Sequence, residues 1–141
     1  MSKIAVVYWS GTGNTEAMAT AVLEGAKNAG ADAAMLTPTE FDVSTLPPLD
    51  AVAFGCPAMG AEVLEESEFL PMFDACKTQL SGKKVALFGS HGGGDGEWMR
   101  SWEQDCEENG ISLACESVIC CNTPDDTAKE ACRKLGASLA K

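Results

Sequence analysis

The sequence predicts an open, doubly wound α/β sheet in which about five parallel strands alternate with helices. Short and nearly continuous apolar runs are typical of parallel strands that helices cover on both faces. Amphipathic segments with helical spacing separate these runs, and glycines follow several of the segments. In sheets of this class a ligand binds beyond the carboxyl ends of the strands. The candidate site is therefore expected in the loops that follow the strands.

Four segments have the composition of parallel strands, and a fifth is a weaker candidate because its alanines would also suit a helix. The four strand-like segments are 3–9, 50–56, 83–90 and 111–121, and the weaker segment is 31–36. None of the four shows the alternation of apolar and polar residues that a strand with one solvated face would have. We therefore expect strands that are buried on both faces.

Helical segments lie between the strands, at 14–29, 63–80 and 97–109, and a last helix opens at residues 123–126. Gly30 and Gly110 follow the first and third segments, where glycine commonly ends a helix. Pro71 predicts a kink or break in the second segment, because proline removes a helical hydrogen bond. Trp98 and Trp102 lie one turn apart on the third, and we expect them to anchor the core.

Length and charge limit the classes of protein that fit. A chain of 141 residues predicts one domain over residues 1–141. Its 10 Lys and Arg against 21 Asp and Glu give a net charge of −11. Binding to nucleic acid or to an anionic membrane would require a basic patch, so neither is expected. An acidic surface suits basic partner surfaces instead.

The cysteines predict free thiols in a reducing cytoplasm. Seven cysteines cannot all pair within one chain, and no C-x-x-C spacing supports a zinc or dithiol motif. The first apolar run covers only residues 4–9, which is short for a secretion signal and far short of a membrane span. We therefore expect a cytoplasmic protein.

The first loop has the composition of a phosphate-binding site. It consists of Ser10, Gly11, Thr12, Gly13, Asn14 and Thr15. Glycines allow backbone N–H groups to turn inward, and the following helix N-terminus attracts an anion. No lysine occurs from residue 4 to 26, and Glu16 stands where the dinucleotide fingerprint requires a small residue. The loop thus suits a phosphate that is held rather than transferred, and the alternative is a polar helix cap without a ligand.

The segment Y-W-S-G-T-G-N-T-E resembles the phosphate loop of the flavodoxins. The resemblance continues at G-C-P-A-M-G-A-E-V-L-E-E-S-E-F, K-K-V-A-L-F-G-S and G-D-G-E-W-M-R, and it covers essentially the whole chain. It is strongest for the short-chain members. It implies a flavodoxin-like three-layer sandwich with a five-stranded parallel sheet of order 2-1-3-4-5. It also implies noncovalently bound FMN and the role of a low-potential single-electron carrier rather than an enzyme.

The resemblance implies that the second loop holds one edge of the flavin. The residues concerned are Pro57, Ala58, Met59, Gly60, Ala61 and Glu62. Met59 is a soft side chain that can lie against a flat ring, and Gly60 suits a turn with positive φ. In similar proteins the peptide after this glycine turns toward flavin N5, and Glu62 matches the acceptor from N3–H. We expect Glu65, Glu66 and Glu68 to form a solvated acidic face.

The third loop lacks an aromatic residue that the family usually stacks on the flavin. Its residues are Ser90, His91, Gly92, Gly93, Gly94 and Asp95. Gly93 stands at the position of the usual aromatic ring. His91 either offers a replacement ring or is a solvent-facing loop residue. After the last strand, the resemblance adds Cys121 and Asn122 to the expected cofactor-binding residues.

The implied partners are the basic faces of reductases and iron–sulfur oxidoreductases, and we expect a monomer. Acidic residues within 62–68, 95–97 and 103–108 would steer such faces toward the flavin edge. One alternative is a receiver-type signalling domain, but the third strand ends without its phosphorylated Asp. The stronger alternative is a small FMN-dependent reductase, in which the glycine-rich third loop leaves a flavin face open to substrate.

Overall fold

The computed structural model describes residues 2–59, 63–92 and 94–140. Within these ranges the strands are β1 (Lys3–Tyr8), β2 (Asp32–Leu36), β3 (Ala51–Gly55), β4 (Lys84–His91) and β5 (Val118–Cys121). The α-helices are α1 (Asn14–Asn28), α2 (Phe69–Cys76), α3 (Glu97–Glu108) and α4 (Asp126–Leu139). Short 3-10 helices occupy Pro38–Glu40, Val43–Thr45 and Lys77–Gln79.

The five strands form one parallel sheet of order β2-β1-β3-β4-β5. The expected strand order is therefore confirmed, and the weaker candidate at 31–36 forms the edge strand β2. Tyr8 pairs with Gly55, Gly55 pairs with Phe88, and His91 pairs with Cys121. Because the strands are parallel, the loops after β1, β3, β4 and β5 meet at one edge of the sheet.

Two expected elements are shorter than the apolar pattern predicted. Of residues 111–121 only β5 is a strand, because the polar Glu116 and Ser117 interrupt the apolar run. Leu113 forms an isolated bridge to Val85. The helix expected at 63–80 is α2, which begins at Phe69. Pro71 therefore lies in the first turn, where its missing N–H has no helical acceptor, and it does not kink the helix.

The apolar residues form one core layer on each face of the sheet. One layer packs α2 and α3 against the sheet through the aromatic residues Phe54, Phe69, Phe73, Trp98 and Trp102. The other packs α1 and α4 through aliphatic residues that include Ile4, Met18, Val22, Leu135 and Leu139. Both tryptophans of α3 are buried, which confirms their expected role as core anchors.

Helices α1 and α4 approach each other closely through two glycines. A Cβ atom placed at Gly25 would lie 2.0 Å from the carbonyl oxygen of Arg133. A Cβ atom at Gly136 would lie 2.1 Å from the carbonyl oxygen of Val22. Larger residues at either position would push the helices apart, so these glycines set the place of α1 and of the loop that precedes it.

Within residues 2–59, 63–92 and 94–140, the helices are too short or too polar to cross a membrane.

Candidate cofactor-binding site

A cavity of about 240 Å³ lies where the loops meet at the carboxyl edge of the sheet. It is lined by Trp9, Gly11, Thr12, Asn14, Pro57, Ala58, Met59, Ser90, His91, Gly92 and Asn122. Except for Trp9, all of these residues were expected at the site from the sequence. A second cavity, of about 280 Å³, adjoins the first at Trp9, which lines both. We call them the loop cavity and the adjoining cavity.

The first loop is shaped by the hydroxyl of Ser10. Its Oγ accepts hydrogen bonds from the backbone N–H groups of Gly13, at 3.1 Å, and Glu16, at 3.2 Å. Gly13 has φ 97°, a left-handed conformation that favours glycine. Ser10 therefore caps the start of α1 and lines the adjoining cavity rather than the loop cavity.

The first loop also presents hydrogen-bond donors that have no acceptor among the described residues. In the described part of the chain, no acceptor contacts the backbone N–H groups of Gly11, Thr12, Asn14 and Thr15. The side chains of Thr12 and Asn14 likewise have no protein partner there, and both line the loop cavity. Donors gathered at a helix N-terminus fit the phosphate of FMN. The sequence predicted a phosphate site at this loop, and that assignment stays a prediction.

Thr15 differs from the other polar residues of this loop because it is buried. Its Oγ1 lies 3.0 Å from the Oγ of Ser90, and it is not among the residues that line the loop cavity. This bond joins the first loop to the end of β4. If Ser90 donates in this pair, the hydroxyl of Thr15 can donate its own proton to another acceptor. If Thr15 donates to Ser90, it cannot.

The second loop is held at both ends by backbone hydrogen bonds. The N–H of Ala58 donates to the carbonyl of Ser90 at 3.0 Å, and the N–H of Met59 donates to the carbonyl of Val63 at 2.8 Å. Met59 and Val63 also form an antiparallel bridge. The expected flavin-binding residues Gly60, Ala61 and Glu62 lie outside the described residues, so their roles stay predictions.

Glu65 does not belong to a solvated acidic face, and that expectation was wrong. Its side chain is buried, and it accepts backbone N–H bonds from Ser67 at 2.9 Å and from Glu68 and Phe69 at 2.8 Å. The hydroxyl of Ser67 also donates to it. Burial raises the pKa of Glu65, but these hydrogen bonds outweigh burial and lower the pKa to about 2. Glu65 therefore fixes the start of α2 as an ionised carboxylate.

The other two carboxylates of the expected acidic face differ from each other. Glu66 is exposed, as expected, and makes no hydrogen bond or ion pair within the described residues. Glu68 is also exposed, but its Oε1 accepts a hydrogen bond of 2.9 Å from the indole Nε1 of Trp9. A surface carboxylate thus contacts an aromatic wall of the loop cavity.

In the third loop, His91 packs against the core rather than facing solvent. Its ring centroid lies 5.3 Å from that of Trp98, with 50° between the ring planes, and the ring is half-buried. Its Nδ1 is buried and has no hydrogen-bond partner within the described residues. The Trp98 indole donates to the carbonyl of Cys56 at 3.1 Å, so this contact ties the second and third loops to α3.

Three further residues of the third loop were expected at the site, namely Gly93, Gly94 and Asp95. Gly94 and Asp95 do not line the loop cavity, and Asp95 pairs with Arg100 at 3.2 Å on the surface. Gly93 lies outside the described residues, so the effect of the missing aromatic ring stays a prediction.

The end of β5 holds the start of the third loop. Asn122 lines the loop cavity, has φ 60°, and donates its backbone N–H to the carbonyl of His91 at 2.8 Å. Cys121 is exposed and does not line the cavity. Its Sγ donates to the carbonyl of Gly92 at 3.1 Å. Cys121 thus contacts the loop backbone instead of the space that a cofactor would fill.

Comparisons with known proteins show the family of the chain. The family model described as flavodoxin matches residues 6–136. The chain is 44% identical to the flavodoxin of Megasphaera elsdenii over 138 residues, which is 98% of each chain. It is also 44% identical to the flavodoxin of Clostridium beijerinckii over 135 residues, which is 96% of this chain and 97% of that one.

A solved structure shows the same likeness in three dimensions. The solution structure of two-electron reduced Megasphaera elsdenii flavodoxin matches with a TM-score of 0.89 and 42% identity, covering 97% of this chain and 98% of that chain. The chain therefore belongs to the flavodoxin family. The expectation of an electron carrier that binds FMN noncovalently, and is not itself an enzyme, is confirmed. The alternative of a small reductase gains no better support from these relatives.

Proposed function

We propose that the FMN of this electron carrier lies in the loop cavity, with its phosphate at the first loop. The observation that carries the proposal is the group of unused donors at the start of α1. The N–H groups of Gly11, Thr12, Asn14 and Thr15 have no acceptor within the described residues. A bound phosphate would accept several of them and would be stabilised by the helix N-terminus.

The flavin ring would then lie between the second and third loops. Pro57, Ala58 and Met59 line the cavity from one side, and His91 and Gly92 line it from the third loop. Bound FMN supplies the one-electron chemistry, while the chain binds, orients and partly shields it. The roles predicted for Gly60, Ala61, Glu62 and Gly93 belong to the same proposal.

We infer a low reduction potential from the charge of the chain. A net charge of −11 opposes the arrival of each further negative charge. The buried Glu65, whose pKa is lowered to about 2, stays ionised near the second loop. A buried and acidic site therefore disfavours a negatively charged reduced flavin and lowers the potential at which it forms.

The partners that suit this surface are the basic faces of reductases and iron–sulfur oxidoreductases. The acidic residues of α3 include Glu97, Glu103, Glu107 and Glu108, all on the helix that follows the third loop. Complementary charge speeds encounter more than it tightens binding. We propose a cytoplasmic monomer of one domain over residues 1–141 that docks through this acidic surface.

Stepwise reduction of the purified protein, followed by its visible spectrum, tests the proposal. We expect the spectrum of FMN and two separate one-electron steps, both at low potential. Electron transfer from a basic reductase should slow as salt is added, because salt screens the acidic surface. Reduction in one two-electron step, together with steady turnover of a pyridine nucleotide and a substrate, would contradict the carrier role.

A further inference from the structure

The indole of Trp9 is a fixed wall between the loop cavity and the adjoining cavity. Its backbone N–H donates to the carbonyl of Gly55 at 3.0 Å, which continues the pairing of β1 with β3. Its ring lies against Gly11, where an added Cβ would be 3.1 Å from Cη2 and 3.3 Å from Cζ3. The partly buried ring also packs against the aromatic core layer. The indole thus contacts the first loop, β3 and the core at once.

Glu68 completes this arrangement from the side of α2. Its Oε1 accepts the indole N–H at 2.9 Å, which is a good length for a bond to a carboxylate. The backbone N–H of Glu68 donates to the buried carboxylate of Glu65 at 2.8 Å. Because Glu65 also binds the first N–H groups of α2, the position of Glu68 is set by the start of that helix.

We propose that Glu68 is a positioning residue for FMN, which acts by holding the Trp9 indole as a wall of the loop cavity. Glu68 lines the adjoining cavity and not the loop cavity, so it would influence FMN through Trp9 rather than by contact. The inference rests on the proposed place of FMN. Without Glu68 the indole N–H loses its acceptor, the ring gains freedom, and binding of FMN must order it again.

Three single variants test the proposal through the affinity of the apoprotein for FMN, measured by quenching of flavin fluorescence. Glu68→Ala should weaken binding about threefold to tenfold. Glu68→Gln keeps an acceptor for the indole and should retain most of the affinity. Glu66→Ala removes the same charge two positions away, from an exposed side chain without partners among the described residues, and should change affinity less than about twofold. Equal losses in the two alanine variants, or an equally weak Glu68→Gln, would overturn the proposal.

A double-mutant cycle with Trp9 gives a second test. Trp9→Phe keeps an aromatic ring but removes the N–H that Glu68 accepts. In the Trp9→Phe background, Glu68→Ala should cause no further loss of FMN affinity, because the bond is already absent. Losses that simply add would show that Glu68 acts independently of Trp9 and would overturn the proposal.

The apoprotein itself supplies a readout that does not depend on FMN. The nuclear magnetic resonance signal of the Trp9 indole N–H should shift and exchange faster with water in Glu68→Ala, but not in Glu66→Ala. An unchanged signal would overturn the positioning role. If FMN does not bind in the loop cavity, substitutions in the first loop would leave the FMN affinity unchanged. The indole signal of the apoprotein would still change in Glu68→Ala, so the two failures can be told apart.

Discussion

The hydroxyls of Thr15 and Ser90 lie 3.0 Å apart and join the first turn of α1 to the end of β4 across 75 positions of sequence. The two residues are only 1% and 5% exposed. A buried hydroxyl without a hydrogen-bond partner lowers the stability of the fold. Each of these two hydroxyls therefore provides the hydrogen-bond partner that the other needs. The bond holds the proposed phosphate loop against the third loop without the help of a ligand.

Loss of either hydroxyl should destabilise the fold. Thr15→Val keeps the volume of the side chain but leaves Ser90 without its partner, and we expect the free energy of unfolding to fall by about 1–3 kcal/mol. Ser90→Ala should cost a similar amount, and the double variant should cost less than the sum of the two. Urea unfolding of the apoproteins measures these differences. Strict additivity would show that the two hydroxyls do not depend on each other.

Thr12 separates phosphate binding from folding. Its side chain is exposed and has no protein partner in the described ranges, so Thr12→Val should change the free energy of unfolding by less than about 0.5 kcal/mol. It should nevertheless weaken FMN, which has a phosphate, more than riboflavin, which has none. Thr78→Val, at an exposed threonine far along the chain from the first loop, is the matched control. Equal losses for FMN and riboflavin would contradict the phosphate assignment.

Glu65 should give the protein a marked sensitivity to acid. Its pKa is lowered from 4.5 to about 2 in the folded state, so its ionised form favours folding. That stabilisation is fully present above about pH 4.5 and is lost as the pH falls through about 2. At 1.36 kcal/mol for each pKa unit, it amounts to about 3 kcal/mol.

Glu65→Gln tests this linkage because it keeps the shape of the side chain but cannot ionise. At neutral pH we expect its free energy of unfolding to be about 1–3 kcal/mol below that of the wild type. The gap should narrow between pH 4.5 and pH 2, where the wild type loses the contribution of the carboxylate. Urea unfolding at several pH values measures the gap. A constant gap across this range would mean that the carboxylate of Glu65 is not the group responsible.

The thiols should differ strongly in reactivity. Burial raises the pKa of Cys76 to about 11 and the pKa values of Cys56, Cys106 and Cys132 to about 12. Cys121 is exposed. Because the thiolate is the reactive form, a maleimide should label Cys121 at least about tenfold faster than the four buried thiols. Peptide mass mapping measures the order of labelling, and Cys121→Ser should remove the fastest phase. Early labelling of Cys56 would contradict the burial of this residue, which directly precedes the second loop.

The parallel strands and the edge of the sheet at which the loop cavity lies could be predicted from local patterns, whereas the strand order was implied by the resemblance to the flavodoxins. Apolar runs mark β1, β3 and β4, and parallel strands bring the loops after them to one edge. The start of α2 could not be predicted in this way. Glu65 reaches it from outside the helix, and the apolar pattern of 63–80 contains no sign of that bond.

Contacts across the chain explain the other differences. Trp9 and Glu68 are 59 positions apart, and nothing in either local segment indicates that an indole and a carboxylate meet. Thr15 was expected to face a phosphate, since a threonine beside a glycine-rich loop suits that role. Its burial against Ser90 depends on β4, which lies far along the chain. Loop composition thus leads to the proposed phosphate site, but it does not indicate which side chains support the loop.

The glycine contact between α1 and α4 has a consequence for how the chain is made. Glu24 and Arg133, which pair across these helices, are 109 positions apart. During synthesis α1 therefore emerges long before α4, the helix that it packs against. The apolar face of α1 stays uncovered by α4 until that helix has been made. The residues proposed to bind the phosphate are synthesised before α4, and their scaffold is complete only when that helix follows more than a hundred positions later.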